Sequence, residues 1–254
     1  MESIQRDFLP ADLERELCGA GLDGAVTVQA RQSLEETAWL LDLAARHPFM
    51  RGVVGWVPLA QPGVAAHLER FAARNELKAV RHVLHDEPED RYMLRKDFNA
   101  GIRLLKSFGL VYDILVFERH LPQTIAFVDR HPGQVFVVDH IAKPFIRGGL
   151  LSPWRESMLQ LARRENVYCK LSGMVTEADW SAWSESDLRP YFSVVLEAFT
   201  PRRMMFGSDW PVLLVAAGYQ RWVDVVSNMI AALTPAERDR IMGGTAAEVY
   251  RLCP

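Results

Sequence analysis

Ionisable groups close four apolar runs of this chain: "RHVLH" (81–85), "DHIAKP" (139–144), "KLSG" (170–173) and "GSDWP" (207–211). The last is the most telling. Asp209 follows the apolar Met204, Met205 and Phe206 almost directly and stands just before Trp210 and Pro211. A carboxylate held at the end of a buried strand can take a proton from water. An imidazole such as His140, or a cation opposite the acid, can polarise a carbonyl and hold the oxyanion that forms. No Ser-His-Asp order with a nucleophile elbow is visible. The chemistry this set suggests is direct attack of activated water on an ester or amide.

Each residue also has a structural reading. Asp209 fits a helix cap or an arginine partner, and His140 fits a hydrogen-bonded core histidine. Taken singly, Arg81 and Lys170 read as salt-bridged, and Lys143 before Pro144 fits a solvated loop charge equally well. His47, His67, His120 and His131 fall in or beside helical patterns and read as surface residues. Trp180 and Trp183 fit a lid or plain packing, and Cys169 reads as buried and inert.

These residues need elements to carry them. Runs of strand-like composition lie at 24–29, 51–59, 77–85, 110–117, 134–144, 166–174 and 202–211, bounded by Gly, Pro, Asp or Asn. Amphipathic helical patterns separate them, with apolar residues recurring at three and four. The clearest is "SLEETAWLLDLAARHP", where Ser33 and Glu36 form a capping-box pattern and Pro48 stops the helix. Alternation of strand and helix predicts a parallel sheet, and strands with little alternation predict burial on both faces. Seven strands are counted, preceded by a helix that ends at Gly21. A (β/α)8 barrel needs eight, so a barrel without its first strand and an open doubly wound sheet fit the pattern equally. In both, ligands gather at the carboxyl ends of the strands.

Strand parity then assigns faces. If Asp209 points inward, Gly207 and Met205 share its side, and Met204, Phe206 and Ser208 face the helices. If His140 points inward, Phe136 and Val138 go with it and Asp139 faces outward. Only one of Arg81 and His82 can face in, and parity does not choose between them.

The 254 residues, 49% hydrophobic and with a net charge of −3, describe an ordinary globular chain, read here as one domain over 1–254. No basic stripe speaks for nucleic acid or a membrane surface, and no apolar run approaches the length of a membrane span. No secretory pattern opens the chain. Three scattered cysteines (Cys18, Cys169 and Cys253) make neither a disulfide framework nor a zinc knuckle. A reduced, cytoplasmic protein is expected.

The segments "VQARQSLEETAWLLDLA", "RGVVGWVPL", "VRHVLHDEP", "DHIAKP", "CKLSGMVTEADW", "FGSDWPV" and "GGTAAEVY", taken in order, make the chain resemble the amidohydrolase superfamily. The branch is that of sugar-lactone hydrolases, with fuconolactonases, rhamnonolactonases and pyrone dicarboxylate lactonases. The resemblance implies a (β/α)8 TIM barrel, with His140 ending strand six and Asp209 ending strand eight as the general base. It makes the Arg81–His82 pair look like part of the substrate pocket, and Lys143 and Trp210 join that pair as candidates for gripping the carbonyl and hydroxyls of the substrate. It also implies that a tightly held metal is not required; zinc or manganese is admitted, with His140 and Asp209 as ligands. The His-x-His strand that opens the superfamily pattern is not seen in the chain, which suggests a start upstream of Met1 or a lost strand, the latter leaving a poorly active protein or one completed by a partner chain.

The expected activity is opening of a sugar-acid lactone, such as L-fucono- or L-rhamnonolactone, to the free acid, with the lactone as small-molecule partner and a homo-oligomer compatible with it. Two alternatives stand beside it: a metal-dependent amidohydrolase or decarboxylase of the same superfamily, and a non-catalytic binding protein on a decayed barrel.

Overall fold

A computed structural model describes residues 4–252; Cys253 lies outside the described residues. Each of the seven expected strands forms, in a parallel sheet whose spatial order is the order of the chain. They are β1 (Ala25–Val28), β2 (Met50–Gly55), β3 (Leu77–Val83), β4 (Val111–Leu115), β5 (Phe136–Val138), β6 (Val167–Leu171) and β7 (Met204–Phe206). Sequential order follows from the connections, since parallel neighbours require a crossover and each crossover here carries a helix. Among the described residues, β1 and β7 are the edges of the sheet.

The helices are α1 (Pro10–Ala20), α2 (Leu34–Arg46), α3 (Val64–Ala72), α4 (Lys96–Leu105), α5 (Leu121–Asp129), α6 (Trp154–Leu161), α7 (Glu185–Phe199), α8 (Tyr219–Ile230), α9 (Pro235–Asp239) and α10 (Thr245–Val249). Their ends match the chemistry of the sequence. Gly21 closes α1 at φ 67°, the left-handed conformation that glycine adopts freely. Ser33 caps α2 by accepting from the Glu36 N–H, but the Glu36 carboxylate turns instead to the N–H groups of Ala30 and Arg31, at 3.2 and 2.7 Å. The capping box is therefore half formed, and its acid ties down the loop that follows β1.

Two cores result. The larger lies between sheet and helices and takes Val80, Tyr112, Ile114, Phe136, Val138, Cys169, Leu171 and Met204 from the outer strand faces. The smaller lies inside the curl of the sheet. There Val54, Ala79, Val111, Val137 and Met205 meet Val249 and Tyr250 beyond the last strand, with Val26 and Val28 packed alongside. Residues of both edge strands and of the middle strands thus share one inner core. Burial of apolar surface on both faces, at roughly 25 cal/mol per Å², explains why the strands read as continuous apolar runs.

Two expectations about histidines are corrected. His120 and His131 are buried, not surface residues. His120 contacts Asp90 through Nε2 at 3.0 Å, and His131 contacts Asn99 Oδ1 at 2.8 Å. A buried imidazole needs such a partner, and neither partner is near it in sequence. Cys169 is buried as expected, and burial pushes its thiol pKa up. Trp183 is a packing residue, buried and donating its indole N–H to the Ala216 carbonyl at 2.9 Å, while Trp180 is exposed.

Candidate active site

Parity holds along β7. Met205 lies in the inner core and Met204 in the outer one. Gly207 extends the ladder by donating to the Leu171 carbonyl at 3.1 Å. Its own carbonyl accepts from Trp222 Nε1 at 2.9 Å, which fixes this strand end to α8. Asp209 itself has φ 58°, a left-handed conformation that costs a non-glycine residue energy and concentrates at functional sites. The Leu213 N–H donates to the Asp209 carbonyl at 2.9 Å, which helps to hold the bend.

Parity fails at the end of β5. Val137 and Asp139 face inward while Phe136 and Val138 face the helices, the reverse of the arrangement expected for an inward His140. The reason is local. His140, Ile141, Ala142 and Lys143 have φ of 53°, 48°, 60° and 48°, so alternation ends at Asp139 and the chain turns left-handed. Trp154 Nε1 donates to the Ile141 carbonyl at 2.8 Å and the Lys143 N–H to that of His140 at 2.8 Å, giving the strained stretch partners. Both Asp139 and His140 consequently address the interior side.

His140 and Asp209 meet there. Nε2 of the imidazole lies 3.5 Å from Oδ1 of the acid, and the side chains are 11% and 15% exposed, enclosed yet reachable. At 3.5 Å the contact is longer than a good N–H···O hydrogen bond. On its far side, His140 Nδ1 lies 2.8 Å from Ser172 Oγ. Burial pushes the His140 pKa below its ordinary value, outweighing the pull of Asp209 and Asp139 upward, which favours the uncharged ring.

Beneath this pair lies a layer of charge. Lys170 Nζ stands 2.5 Å from Asp113 and 2.7 Å from Asp139, and Arg81 Nη1 stands 2.8 Å from the other oxygen of Asp139. Tyr250 donates its hydroxyl to Asp113 at 2.9 Å. Burial raises both carboxylates, but Lys170 and Arg81 together hold Asp139 well below the usual range. Asp113 shares the ammonium without a second cation, and burial pushes it up to about 6.

The other predicted residues divide. Arg81, not His82, takes the inward face, where Gln29 Oε1 at 2.8 Å and the Gln29 carbonyl hold its remaining N–H groups. His82 faces the helices: Trp56 donates to its Nδ1 at 3.2 Å, its Nε2 lies 2.6 Å from Glu87, and Tyr92 stacks on it. The structure does not bring His82 to the Asp209–His140 pair. Lys143 is paired with Glu177 and half-buried, its ammonium 5.7 Å from the centre of the Phe117 ring. Trp210 packs edge-on against Phe8, and its indole N–H is buried without a partner.

Four residues here were not singled out in the sequence, although His85 and Ser172 lie within "RHVLH" and "KLSG". Ser172 is two positions beyond Lys170, so parity from that lysine reaches it. Asp113 is a lone charge inside the apolar "LVYDILVF". His85 stacks on Phe117 with centroids 4.6 Å apart, its pKa pushed down to about 4 by burial. Tyr250 has no local signal, because its role depends on where the last helix docks.

The profile of the family described as "Amidohydrolase" matches residues 2–252. The chain is 40% identical to an L-fucono-1,5-lactonase of Burkholderia multivorans (strain ATCC 17616 / 249), over 99% of this chain and 88% of that one. It is 36% identical, over the same shares, to an L-fucono-1,5-lactonase of Burkholderia ambifaria. A crystal structure of an amidohydrolase from Burkholderia multivorans with bound zinc superimposes with a TM-score of 0.95 at 39% identity, covering 100% of this chain and 92% of that one.

Proposed function

As the chain belongs to the amidohydrolase family and sets a carboxylate against an imidazole beyond its strand ends, we propose that it hydrolyses a sugar-acid lactone. The L-fucono-1,5-lactonases that it resembles at 40% and 36% identity support a six-membered aldonolactone as substrate. The observation that carries the reading is the 3.5 Å approach of His140 Nε2 to Asp209 Oδ1 at an enclosed yet reachable position.

Asp209 takes a proton from water as the oxygen attacks the lactone carbonyl. The Nε2–H of His140 donates to the carbonyl oxygen as its charge develops. When the tetrahedral intermediate collapses, the acyl–oxygen bond breaks and Asp209 returns its proton to the ring oxygen, leaving a hydroxy acid. The free indole N–H of Trp210 is a donor for a sugar hydroxyl, since a buried donor without a partner gains most from a ligand that supplies one. Lys143, balanced by Glu177, suits a neutral polyol better than an unpaired cation would. Arg81 is committed to Gln29 and Asp139 and acts as floor rather than grip.

For metal, His140 and Asp209 offer two donors, and among the described residues no group of three His, Cys, Asp or Glu gathers. A catalytic zinc takes three protein ligands. The described residues therefore do not fit a resident ion.

The same reading treats residues 1–254 as one domain of (β/α)8 type, with seven strands among the described residues and the first strand of the barrel lacking between the edges of β7 and β1. The shared inner core of the two edge strands supports the barrel. No helix among the described residues is long and apolar enough to cross a membrane. A reduced cytoplasmic setting, without nucleic acid or membrane as partner, completes the proposal, supported by the free thiols of Cys18 and Cys169.

The test is proton release on a panel of 1,5- and 1,4-aldonolactones, with a simple amide and an aromatic carboxylic acid as controls. Turnover of at least one 1,5-lactone is expected. Turnover of the amide or the carboxylic acid alone would replace this reading with the amidase or decarboxylase one.

A further inference from the structure

Ser172, His140 and Asp209 stand in line. Ser172 Oγ is 2.8 Å from His140 Nδ1, and His140 Nε2 is 3.5 Å from Asp209. These are the residue types of an acyl-transfer triad, but the ring is reversed: in that arrangement the acid holds Nδ1 and the serine faces Nε2. Access differs as well. Ser172 is 1% exposed, and a Cβ on Gly207 would stand 2.9 Å from the Ser172 Cβ. A lactone carbonyl has no open approach to that oxygen, so Ser172 is not the nucleophile.

Resting on the lactonase reading above, we propose that Ser172 is a positioning residue that fixes the plane and the tautomer of His140. A ring lone pair aimed at the Asp209 carboxylate 3.5 Å away would be repelled by it, whereas an N–H there is attracted, so the ring proton is favoured on Nε2. Nδ1 is then the acceptor, and the Ser172 hydroxyl donates to it. That choice directs Nε2–H into the gap where the lactone oxygen is polarised. With the other tautomer, a lone pair would face the developing oxyanion and oppose the reaction.

The surroundings are shaped to hold this geometry. Gly173 has φ 63°, and a Cβ there would stand 2.6 Å from the His140 Cβ and 2.8 Å from its Nδ1. Backbone therefore presses on one side of the imidazole while the serine hydroxyl ties its inner nitrogen. Gly207 allows β7 equally close to Ser172. The two glycines are placed where any side chain would displace either the ring or its partner.

The experiment compares the parent chain with its Ser172→Ala and Ser172→Thr variants. The kcat on the 1,5-lactone turned over best should fall about 10- to 100-fold in Ser172→Ala, as expected for a misaligned catalytic group. KM should stay within about twofold, and Ser172→Thr should restore most of the rate. Nitrogen-15 NMR of the histidine ring should show protonated Nε2 and bare Nδ1 in the parent, with the two forms averaging in Ser172→Ala. Unchanged kcat in Ser172→Ala, a protonated Nδ1 in the parent, or an acyl adduct on Ser172 in quenched turnover would each overturn the proposal. If Ser172→Ala does not fold, the parent spectrum and the Thr variant still decide it. A parent chain inactive on every lactone would overturn the functional reading, while the ring spectrum would still test Ser172.

Discussion

Lys170 places its ammonium 2.5 Å from Asp113 and 2.7 Å from Asp139, so one buried cation serves two buried carboxylates. Asp139 is the neighbour of His140 in the chain, and Lys170 is two residues from Ser172. The charged layer therefore lies directly under the groups proposed to react. A buried ion pair contributes little net stability when intact, yet removing one partner strands the other charge.

Lys170→Met should accordingly destabilise the fold by about 3–5 kcal/mol, measured by denaturant unfolding. Adding Asp113→Asn to Lys170→Met should recover part of the loss, since one stranded acid is then gone. A loss below about 1 kcal/mol, the size of an exposed pair, would mean that the layer is more hydrated than the structure indicates.

Stability should fall as pH is lowered from about 7. Burial depresses His85 and His131 to about 4 from the ordinary value of 6.5. A group whose folded pKa is lowered favours the unfolded state once that state takes up the proton. The contribution is whole above 6.5 and is lost as pH falls towards 4. Asp113, raised to about 6, works the other way, losing stability as pH rises through that value. Two histidines with wider windows outweigh one acid, so the midpoint of thermal unfolding should drop between pH 7 and 5. His131→Gln should flatten that slope; an unaltered slope would contradict this assignment.

His82→Ala should act on stability and not on substrate binding. Its ring satisfies Trp56 and Glu87 among buried aromatics. Leaving those groups unpaired should cost about 1–3 kcal/mol, read from thermal or denaturant unfolding. KM for the lactone should not move. A KM raised tenfold with stability intact would return His82 to the substrate pocket.

What the sequence disclosed depended on how local the cause was. β-branched runs between amphipathic segments located all seven strands, because burial on both faces leaves an apolar record in the chain. Alternation separated inward Met205 from outward Met204 correctly, since β7 stays extended up to Gly207. The same rule misplaced Asp139, because the left-handed turn that begins at His140 has no glycine to announce it. Choosing between Arg81 and His82 needed the third dimension: Gln29 and Asp139 on one face, Trp56 and Glu87 on the other. His120 and His131 looked peripheral because Asp90 and Asn99 reach them from 30 and 32 residues away.

The proposed mechanism stands or falls with Asp209 as the base. The measurement is proton release on a 1,5-aldonolactone, compared between the chain and its Asp209→Asn variant. A loss of about 10²–10⁴ in kcat is expected, with the fold intact by circular dichroism. Equal rates in the two proteins would contradict it.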